Sequence, residues 1–189
     1  MARFHLLLIL STPLATAFAA TAFAANQKFT VEPLYGVETS LVRYPEPSKY
    51  VSRATYGLRA LYGSTALAAE AELTQAKSRE DYPDLSQKVE DTSDRLALGL
   101  RSTYGLSSFL GVYLRAGGRA SQGKTTVTTG GVSEEKTNKL RVDPYAGAGL
   151  QLAVASNLAL NAGVTLVRNF EDKYDSQYTL GLSARFGNR

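Results

Sequence analysis

The sequence predicts an all-β chain whose eight antiparallel strands follow one another up and down and close into a barrel. Apolar and polar residues alternate through eight segments, and a period of two is typical of strands with one apolar face. No segment after residue 25 keeps a helical period, which favours the all-β class. Short turns alternate with longer polar connections, so an even number of strands places each kind of connection at its own end.

The first 24 residues predict a signal peptide. Arg3 supplies the positive start, Leu6 to Leu10 begin an apolar core, and Ala22-Phe23-Ala24 matches the small-x-small cleavage pattern. The apolar run is too short for a transmembrane helix. We place the cleavage after Ala24, and the alternatives that also fit follow Ala25 or Ala19. The chain is thus predicted to divide into a leader, residues 1–24, and a barrel, residues 25–189.

Composition restricts the chemistry of the exported part. Loss of Arg3 and His5 leaves no histidine and 20 Lys and Arg against 17 Asp and Glu, a charge of +3. This weak balance without a basic run argues against nucleic acid as a partner. With neither Cys nor His, the mature chain has no disulfides, thiol chemistry or Ser–His catalysis. We therefore predict no enzyme, no metal site and no cofactor.

Each of the first four segments sets an apolar face against a polar one. Pro33 interrupts the first segment, and because proline cannot donate to a sheet ladder we expect a bulge there. The tight turn Gly63-Ser64-Thr65 joins the second segment to the third. The segments are Phe29 to Tyr44, Tyr50 to Tyr62, Ala66 to Lys77 and Arg95 to Tyr104.

The last four segments repeat the pattern and end in the clearest strand of the chain. In that strand Tyr178, Leu180 and Leu182 alternate with Thr179 and Gly181. Short turns precede the fifth and seventh segments, and a long polar stretch precedes the sixth. The segments are Phe109 to Ser121, Leu140 to Val154, Leu158 to Phe170 and Asp175 to Phe186.

Three features indicate that the polar face is enclosed and the apolar face meets a membrane, the reverse of a soluble β-sandwich. Strand interiors carry Arg while Lys lies in loops and at strand ends, and an ion-paired interior favours the planar guanidinium. Glycines on the polar face leave room for long neighbours in a narrow lumen. Aromatic residues gather at strand ends, as in interfacial girdles. This predicted girdle comprises Phe29, Tyr62, Tyr104 and Phe109 at one end, and Tyr44, Tyr50, Phe170 and Tyr178 at the other.

The mature chain resembles the small eight-stranded outer-membrane barrels of Gram-negative bacteria, the outer-membrane-protein-A-like and X-like group. The run Asp143 to Leu150 is similar to a P-Y-x-G-x-G motif common in these barrels. The last strand fits the spacing of the family's assembly signal, although Ala184 is weakly apolar and three residues follow Phe186. The matching positions are Thr179, Gly181, Ala184 and Phe186. The resemblance implies outer-membrane lipids, the barrel-assembly machinery and periplasmic chaperones as partners.

The enclosed face predicts an ion-pair network. A hairpin centred on Ser64-Thr65 would place Arg59 opposite Glu70 and diagonal to Glu72, with Arg101 in reach. Arginines outnumber carboxylates, so water, Tyr113 or anions would satisfy the surplus. The predicted network comprises Arg59, Glu70, Glu72, Arg101, Glu32, Arg185, Glu38 and Arg53.

Two interpretations of this network stay open. Side chains fill the interior of an eight-stranded barrel, so the network can be a plug that holds the barrel shut. Alternatively, exchange of partners among Arg59, Glu70, Glu72 and Arg101 opens a narrow path, which would make the protein a small anion-favouring porin.

The long polar stretches, residues 79–94 and 122–139, are the other candidate for function. Binding residues concentrate in loops carried by a rigid scaffold. A surface adhesin or receptor would use these stretches to contact a ligand, whereas a structural protein would use them only to shield the rim.

Overall fold

The computed structural model describes residues 28–42, 49–83, 86–169 and 173–187, which form nine β-strands. The predicted signal peptide and two predicted girdle residues, Tyr44 and Phe170, lie outside the described residues. The strands are β1 Lys28–Val42, β2 Lys49–Gly63, β3 Ala68–Tyr82, β4 Gln87–Gly105, β5 Leu110–Thr129, β6 Val132–Thr137, β7 Arg141–Ala155, β8 Leu158–Arg168 and β9 Tyr174–Phe186.

Eight of these nine strands close into a ring, which confirms the predicted all-β, up-and-down barrel. Each strand of the ring pairs antiparallel with its neighbours in sequence, except that β5 pairs with β7. β9 closes the ring on β1, from Phe29 opposite Phe186 to Thr39 opposite Ser176. β6 pairs only with β5 and stands outside the ring. Closure leaves the ring without a free strand edge.

The strands are strongly staggered around the ring. A path that starts at Phe29 and steps from each residue to its paired neighbour passes through Tyr62, Ala69 and the remaining strands. It returns to β1 at Thr39, so the stagger around the ring, from residue 29 to residue 39, is ten residues. A barrel with this relation of stagger to strand number has strands tilted by about 40° and an interior filled by side chains. The lumen is therefore a packed polar core.

Both long polar stretches predicted as loops are strands instead. β3 and β4 stay paired out to Tyr82 opposite Gln87, and β4 stays paired with β5 out to Gln87 opposite Thr129. Gly130 and Gly131 have φ values of 56° and 85°, as a tight turn into β6 requires. The β-branched Thr and Val residues of β5 favour extended backbone there. Polar composition concealed these strands because polar residues occupy both faces: in β4 Asp91 and Ser93 are buried, whereas Glu90 and Asp94 are exposed.

The β2–β3 turn is longer than predicted, so the expected pairing of Arg59 with Glu70 was wrong. The paired strands end at Gly63 opposite Ala68, and the amide of Ser64 donates to the carbonyl of Leu67 at 3.0 Å. This shifts the register by two residues. Arg59 lies opposite Glu72, and Leu61 lies opposite Glu70.

The bulge expected at Pro33 is absent. Pro33 keeps register with Leu58, and the β1–β9 ladder keeps the same register on either side of it, at Val31 and Leu34. The β1–β9 ladder has no pair at Pro33 itself, which accommodates the missing N–H of the proline.

The two faces of the ring are inverted relative to a soluble protein. Leu98 and Leu180 on the outer face are 57% and 65% exposed, while Arg59 and Glu38 on the inner face are fully buried. Within the described ranges no helix is long and apolar enough to cross a membrane.

Candidate functional site

A compact group of charges fills the half of the lumen nearer the short turns. This short-turn cluster comprises Glu32, Arg59, Glu70, Glu72, Arg101 and Arg115, from β1 to β5. Alternation points each side chain inward, and at most 5% of any of these residues is exposed. Three arginines thus face three glutamates out of contact with bulk water.

Arg59 lies at the centre of the short-turn cluster. Its Nη1 is 2.6 Å from Glu32 Oε1, its Nη2 is 2.7 Å from Glu72 Oε2, and its Nε donates to the same Glu72 oxygen at 2.9 Å. Glu70 Oε2 lies 3.7 Å from Arg59 Nε. Arg59 therefore contacts all three glutamates of the cluster.

Arg101 of β4 and Arg115 of β5 complete the cluster. Arg115 Nη2 lies 2.6 Å from Glu70 Oε1 and 2.7 Å from Glu72 Oε2. Arg101 Nη1 lies 3.1 Å from Glu32 Oε2. Each glutamate contacts at least two arginines, so the three positive and three negative charges cancel locally.

Neutral side chains satisfy much of the remaining hydrogen-bonding capacity of the cluster. Asn161 donates to Glu32 at 3.0 Å and accepts from Arg101 at 3.1 Å, and the Tyr145 hydroxyl donates to Glu70 at 3.1 Å. The guanidinium carbon of Arg101 lies 3.7 Å from the ring centre of Tyr113, a cation–π contact. This burial and bonding hold each arginine in one arrangement.

A second group of charges, the loop-end cluster, lies nearer the long connections and comprises Glu38, Arg53, Asp91, Arg95 and Arg119. Glu38 binds Arg95 through two hydrogen bonds and Arg119 at 3.2 Å. Arg53 Nη2 lies 2.8 Å from Asp91 Oδ2. All five residues are at least nine-tenths buried.

Buried apolar residues also help to fill the lumen. Ala97, Tyr145 and Val167 form a buried contact group, and Val167 is 1% exposed. Ala97 lies opposite Glu72 on one side and Arg119 on the other, so it joins the two clusters. These side chains offer an ion neither water nor charge and so add to the barrier of the filled lumen.

The structure brings seven of the eight predicted network residues into ion pairs and leaves one out. Glu32, Arg59, Glu70, Glu72 and Arg101 fall in the short-turn cluster, and Glu38 and Arg53 fall in the loop-end cluster. Arg185, expected near Glu32, has no ion-pair partner among the described residues and lines a cavity at the short-turn end. Arg59, Arg101 and Asn161 already occupy the oxygens of Glu32.

Two buried carboxylates were missed because they lie in stretches predicted as loop or near a strand end. Asp91 faces inward from the extended part of β4. Asp175 accepts hydrogen bonds from the Leu41 amide and from Asn169, each at 3.0 Å. Asp91 and Asp175 reduce the predicted arginine surplus. Continued alternation through residues 87–94 was the available signal.

The outer face carries aromatic residues at both ends of its apolar part. At the short-turn end Phe29 lies opposite Tyr62 on one side and Phe186 on the other. Tyr104 and Phe109, beside the β4–β5 turn, are 59% and 57% exposed. The residues predicted for the short-turn part of the girdle therefore lie along one edge of the outer face.

At the loop end the aromatic residues of the outer face lie at two levels, whereas the prediction placed Tyr50 and Tyr178 together. Tyr35 lies opposite Tyr56, and Tyr178 lies opposite Val37, two residues further along β1. Tyr50 precedes Tyr56 by six residues on β2 and so lies nearer the long connections. The structure thus groups Tyr178 with Tyr35 and Tyr56 and places Tyr50 beyond them.

A row of hydrogen-bonded polar side chains marks where the apolar outer face ends. The Tyr56 hydroxyl bonds Gln75, and Gln75 Nε2 donates to Asp94 Oδ1 at 2.6 Å. Beyond it Lys49 Nζ lies 2.7 Å from Glu80 Oε2. Partial burial alone would raise the pKa of Glu80, but hydrogen bonds from Lys49 and Tyr82 outweigh it and lower that pKa below its usual value.

The four assembly-signal positions lie on the strand that closes the ring. Thr179 and Gly181 face the lumen, while Ala184 and Phe186 belong to the outer face. Phe186 lies opposite Phe29, so the last strand meets the first at this residue. Across residues 28–42, 49–83, 86–169 and 173–187, no group of three or more His, Cys, Asp or Glu is arranged to hold a metal ion.

Comparison with solved structures shows the same fold. Neisserial surface protein A aligns with a TM-score of 0.60 at 16% identity, over 84% of this chain and 97% of that chain. Ail, the attachment invasion locus protein of Yersinia pestis, aligns at 0.57 and 15% identity, over 85% and 99%. The N-terminal β-barrel domain of Pseudomonas aeruginosa OprF aligns at 0.53 and 16% identity, over 84% and 97%.

No curated protein matches the chain by sequence. The family model described as the outer membrane protein beta-barrel domain matches residues 10–186, which is most of the 189 residues. The apolar outer face therefore contacts membrane lipid, and the buried clusters fill the lumen. The chain belongs to the outer membrane protein β-barrel family and forms a small eight-stranded barrel of the outer membrane.

Proposed function

We propose that the protein is a sealed structural barrel of the outer membrane, with the two charge clusters acting as a plug. The observation that carries the proposal is the charge balance of the short-turn cluster: three arginines form ion pairs with three glutamates, and each of the six residues is at least 95% buried. The buried contact group of Ala97, Tyr145 and Val167 carries no charge to assist an ion. The proposal assigns no catalysis to these carboxylates.

The porin interpretation requires that the cluster exchange partners. Removal of one member of a buried pair costs about 3–5 kcal/mol, because the other charge is left uncompensated. Spontaneous opening of Arg59 from both Glu32 and Glu72 is correspondingly rare. We therefore expect the ion pairs to hold the lumen shut.

Planar-bilayer conductance tests the sealed barrel directly. We expect a flat baseline for the wild-type protein over the range of voltages at which the bilayer is stable. The Glu72→Ala variant removes the carboxylate that joins Arg59 to Arg115 and is the change most suited to opening a path. Discrete, anion-selective openings of the wild-type protein would replace the plug with the porin interpretation, while openings of the variant alone would support the plug.

A specific observation also favours recognition at the cell surface as a second function. The paired strands beyond the apolar outer face form a loop-end sheet, made of residues 78–82, 87–94, 122–129 and 132–137. A rim shield does not require four hydrogen-bonded strands. We propose that this sheet contacts a ligand, as the name attachment invasion locus protein describes attachment for Ail.

Charge narrows the class of surface ligand. Residues 78–94 contain six Asp and Glu against two Lys and Arg, a net charge of −4. One solved complex of Ail contains a heparin analogue. The acidic β3–β4 hairpin of the present chain would repel such a polyanion, so we propose a ligand with basic groups.

Deletion of residues 125–137 tests this second function without opening the ring. β5 and β7 stay paired from Leu110 opposite Leu152 to Ser121 opposite Arg141. The Asn138 amide donates to the Gly123 carbonyl at 2.7 Å, so the two ends to be joined already lie side by side. Normal folding with lost binding to host cells supports recognition, and normal folding with unchanged binding contradicts it.

A further inference from the structure

The short-turn end of the lumen opens into a vestibule lined by cations and neutral polar groups. A cavity of about 170 Å³ and a smaller one of about 40 Å³ share four lining residues: Thr65, Thr103, Gln151 and Arg185. Lys28 lines the smaller cavity and Ser183 the larger. We define these six residues as the short-turn vestibule. The larger cavity far exceeds the ~10–15 Å³ that one water molecule occupies by this measure.

The vestibule is positively charged without local compensation. Lys28, Arg101 and Arg185 are the charged residues among the described residues that line the two cavities, and no carboxylate lines either one. Arg101 already holds Glu32, but within the described ranges neither Lys28 nor Arg185 forms an ion pair. Every lumen carboxylate has other partners: Glu32, Glu38, Glu70, Glu72, Asp91, Asp143 and Asp175.

Neutral hydrogen-bonding groups surround the uncompensated cations. Thr65, Thr103 and Gln151 line the wall common to both cavities. Gln151 Nε2 already donates one hydrogen bond to Asn161 Oδ1, and the Ser183 hydroxyl donates to the Ala159 carbonyl, each at 3.1 Å. A fork of guanidinium donors beside hydroxyl and amide groups matches the oxygens of a tetrahedral or planar oxyanion. Since the short-turn cluster closes the inner end, an anion can enter this site but cannot pass through it.

We propose that the short-turn vestibule is a binding site for a small water-soluble oxyanion of the phosphate class, with Arg185 as its principal ligand. Ser183 and Gln151 face inward, so the site opens on the aqueous solution beyond the short turns. A lipid headgroup on the outer face has no access to it. Binding at this site rests on the vestibule residues alone; only the statement that the anion does not pass further rests on the proposed plug.

Phosphate titration of the folded mature chain in non-ionic detergent tests the site. Isothermal calorimetry or ³¹P line broadening measures binding at constant ionic strength, maintained with sodium chloride. We expect saturable binding that Arg185→Gln weakens at least tenfold, about 1.4 kcal/mol, and that Arg185→Lys weakens less. Lys28→Gln gives an independent reduction and serves if the Arg185 variants fail to fold.

The matched control is Arg79→Gln on the loop-end sheet, where Arg79 pairs with Glu90 and is largely exposed. We expect phosphate affinity in this variant to equal that of the wild type. Absence of saturable binding by the wild type, equal loss in Arg79→Gln, or displacement of phosphate by chloride at the same ionic strength would overturn the site. Competition by phosphatidylglycerol added to the micelles would contradict its place inside the lumen.

Discussion

The hydroxyl of Tyr113 occupies the space that a side chain at Gly163 would need. An ideal Cβ built on Gly163 would lie 2.1 Å from the Tyr113 hydroxyl oxygen. Tyr113 is 1% exposed and comes from β5, whereas Gly163 comes from β8, on the far side of β7. The aromatic ring of Tyr113 crosses the lumen here, and the absence of a Cβ atom at Gly163 leaves room for it.

Gly163→Ala should therefore destabilise the barrel by about 1–3 kcal/mol through overpacking. Urea unfolding in detergent, followed by heat-modifiable gel migration, measures the loss. Tyr113→Phe in the same chain should restore part of it, because the atom in closest conflict is the hydroxyl oxygen.

Gly149→Ala provides the matched comparison for that rescue. A Cβ at Gly149 would lie 2.4 Å from the backbone carbonyl oxygen of Ala162 as well as 2.3 Å from Tyr113 Cζ. Removing the Tyr113 hydroxyl relieves a third contact, at 2.4 Å to the hydroxyl oxygen, but leaves both of these. If Tyr113→Phe rescued both alanine variants equally, the steric explanation for Gly163 would be wrong.

Glu72→Gln should cost about 3–5 kcal/mol in the free energy of unfolding, because Arg59 and Arg115 would lose a buried counter-ion. The control is Glu90→Gln, which breaks an exposed pair with Arg79 worth about 0–1 kcal/mol. Chemical unfolding in lipid vesicles compares the two. Similar midpoints for both variants would show that the short-turn cluster contributes little to stability.

Leu98→Arg should destabilise the membrane-inserted barrel, since Leu98 is 57% exposed on the lipid-facing side of β4. Arginine on the lipid face near mid-depth costs about 2–4 kcal/mol. Val132→Arg, at an exposed position of β6 outside the ring, should leave stability unchanged. Unfolding from vesicles distinguishes them, and equal effects would contradict the inversion of the two faces.

Phe186→Ala should reduce the amount of folded barrel that reaches the outer membrane, because Phe186 ends the predicted assembly signal and closes β9 on β1. Membrane fractionation with heat-modifiable migration measures the folded fraction in cells. Phe109→Ala removes an aromatic residue of the same edge outside the last strand. Loss of assembly in both variants to the same degree would assign the effect to the girdle and leave the signal without support.

The sequence alone determined the eight-stranded ring, through its repeated alternation, and the inversion of the faces, through the placement of arginines, glycines and aromatic residues. Leu96, Leu98 and Leu100 alternate with Arg95 and Arg101 in a way that only a strand with two different surroundings explains. This information is local, since a period of two can be read within one segment. It does not depend on knowing which strand is the neighbour.

Only the tertiary structure decided which charges meet. Arg95 reaches Glu38 from β4 to β1, and Arg115 reaches Glu70 and Glu72 from β5 to β3, contacts set by stagger and tilt around the whole ring. A change of two residues in the β2–β3 turn moved Arg59 from Glu70 to Glu72. Among the described residues the same geometry left Arg185 without a carboxylate partner, because partners across a closed barrel depend on every register between them.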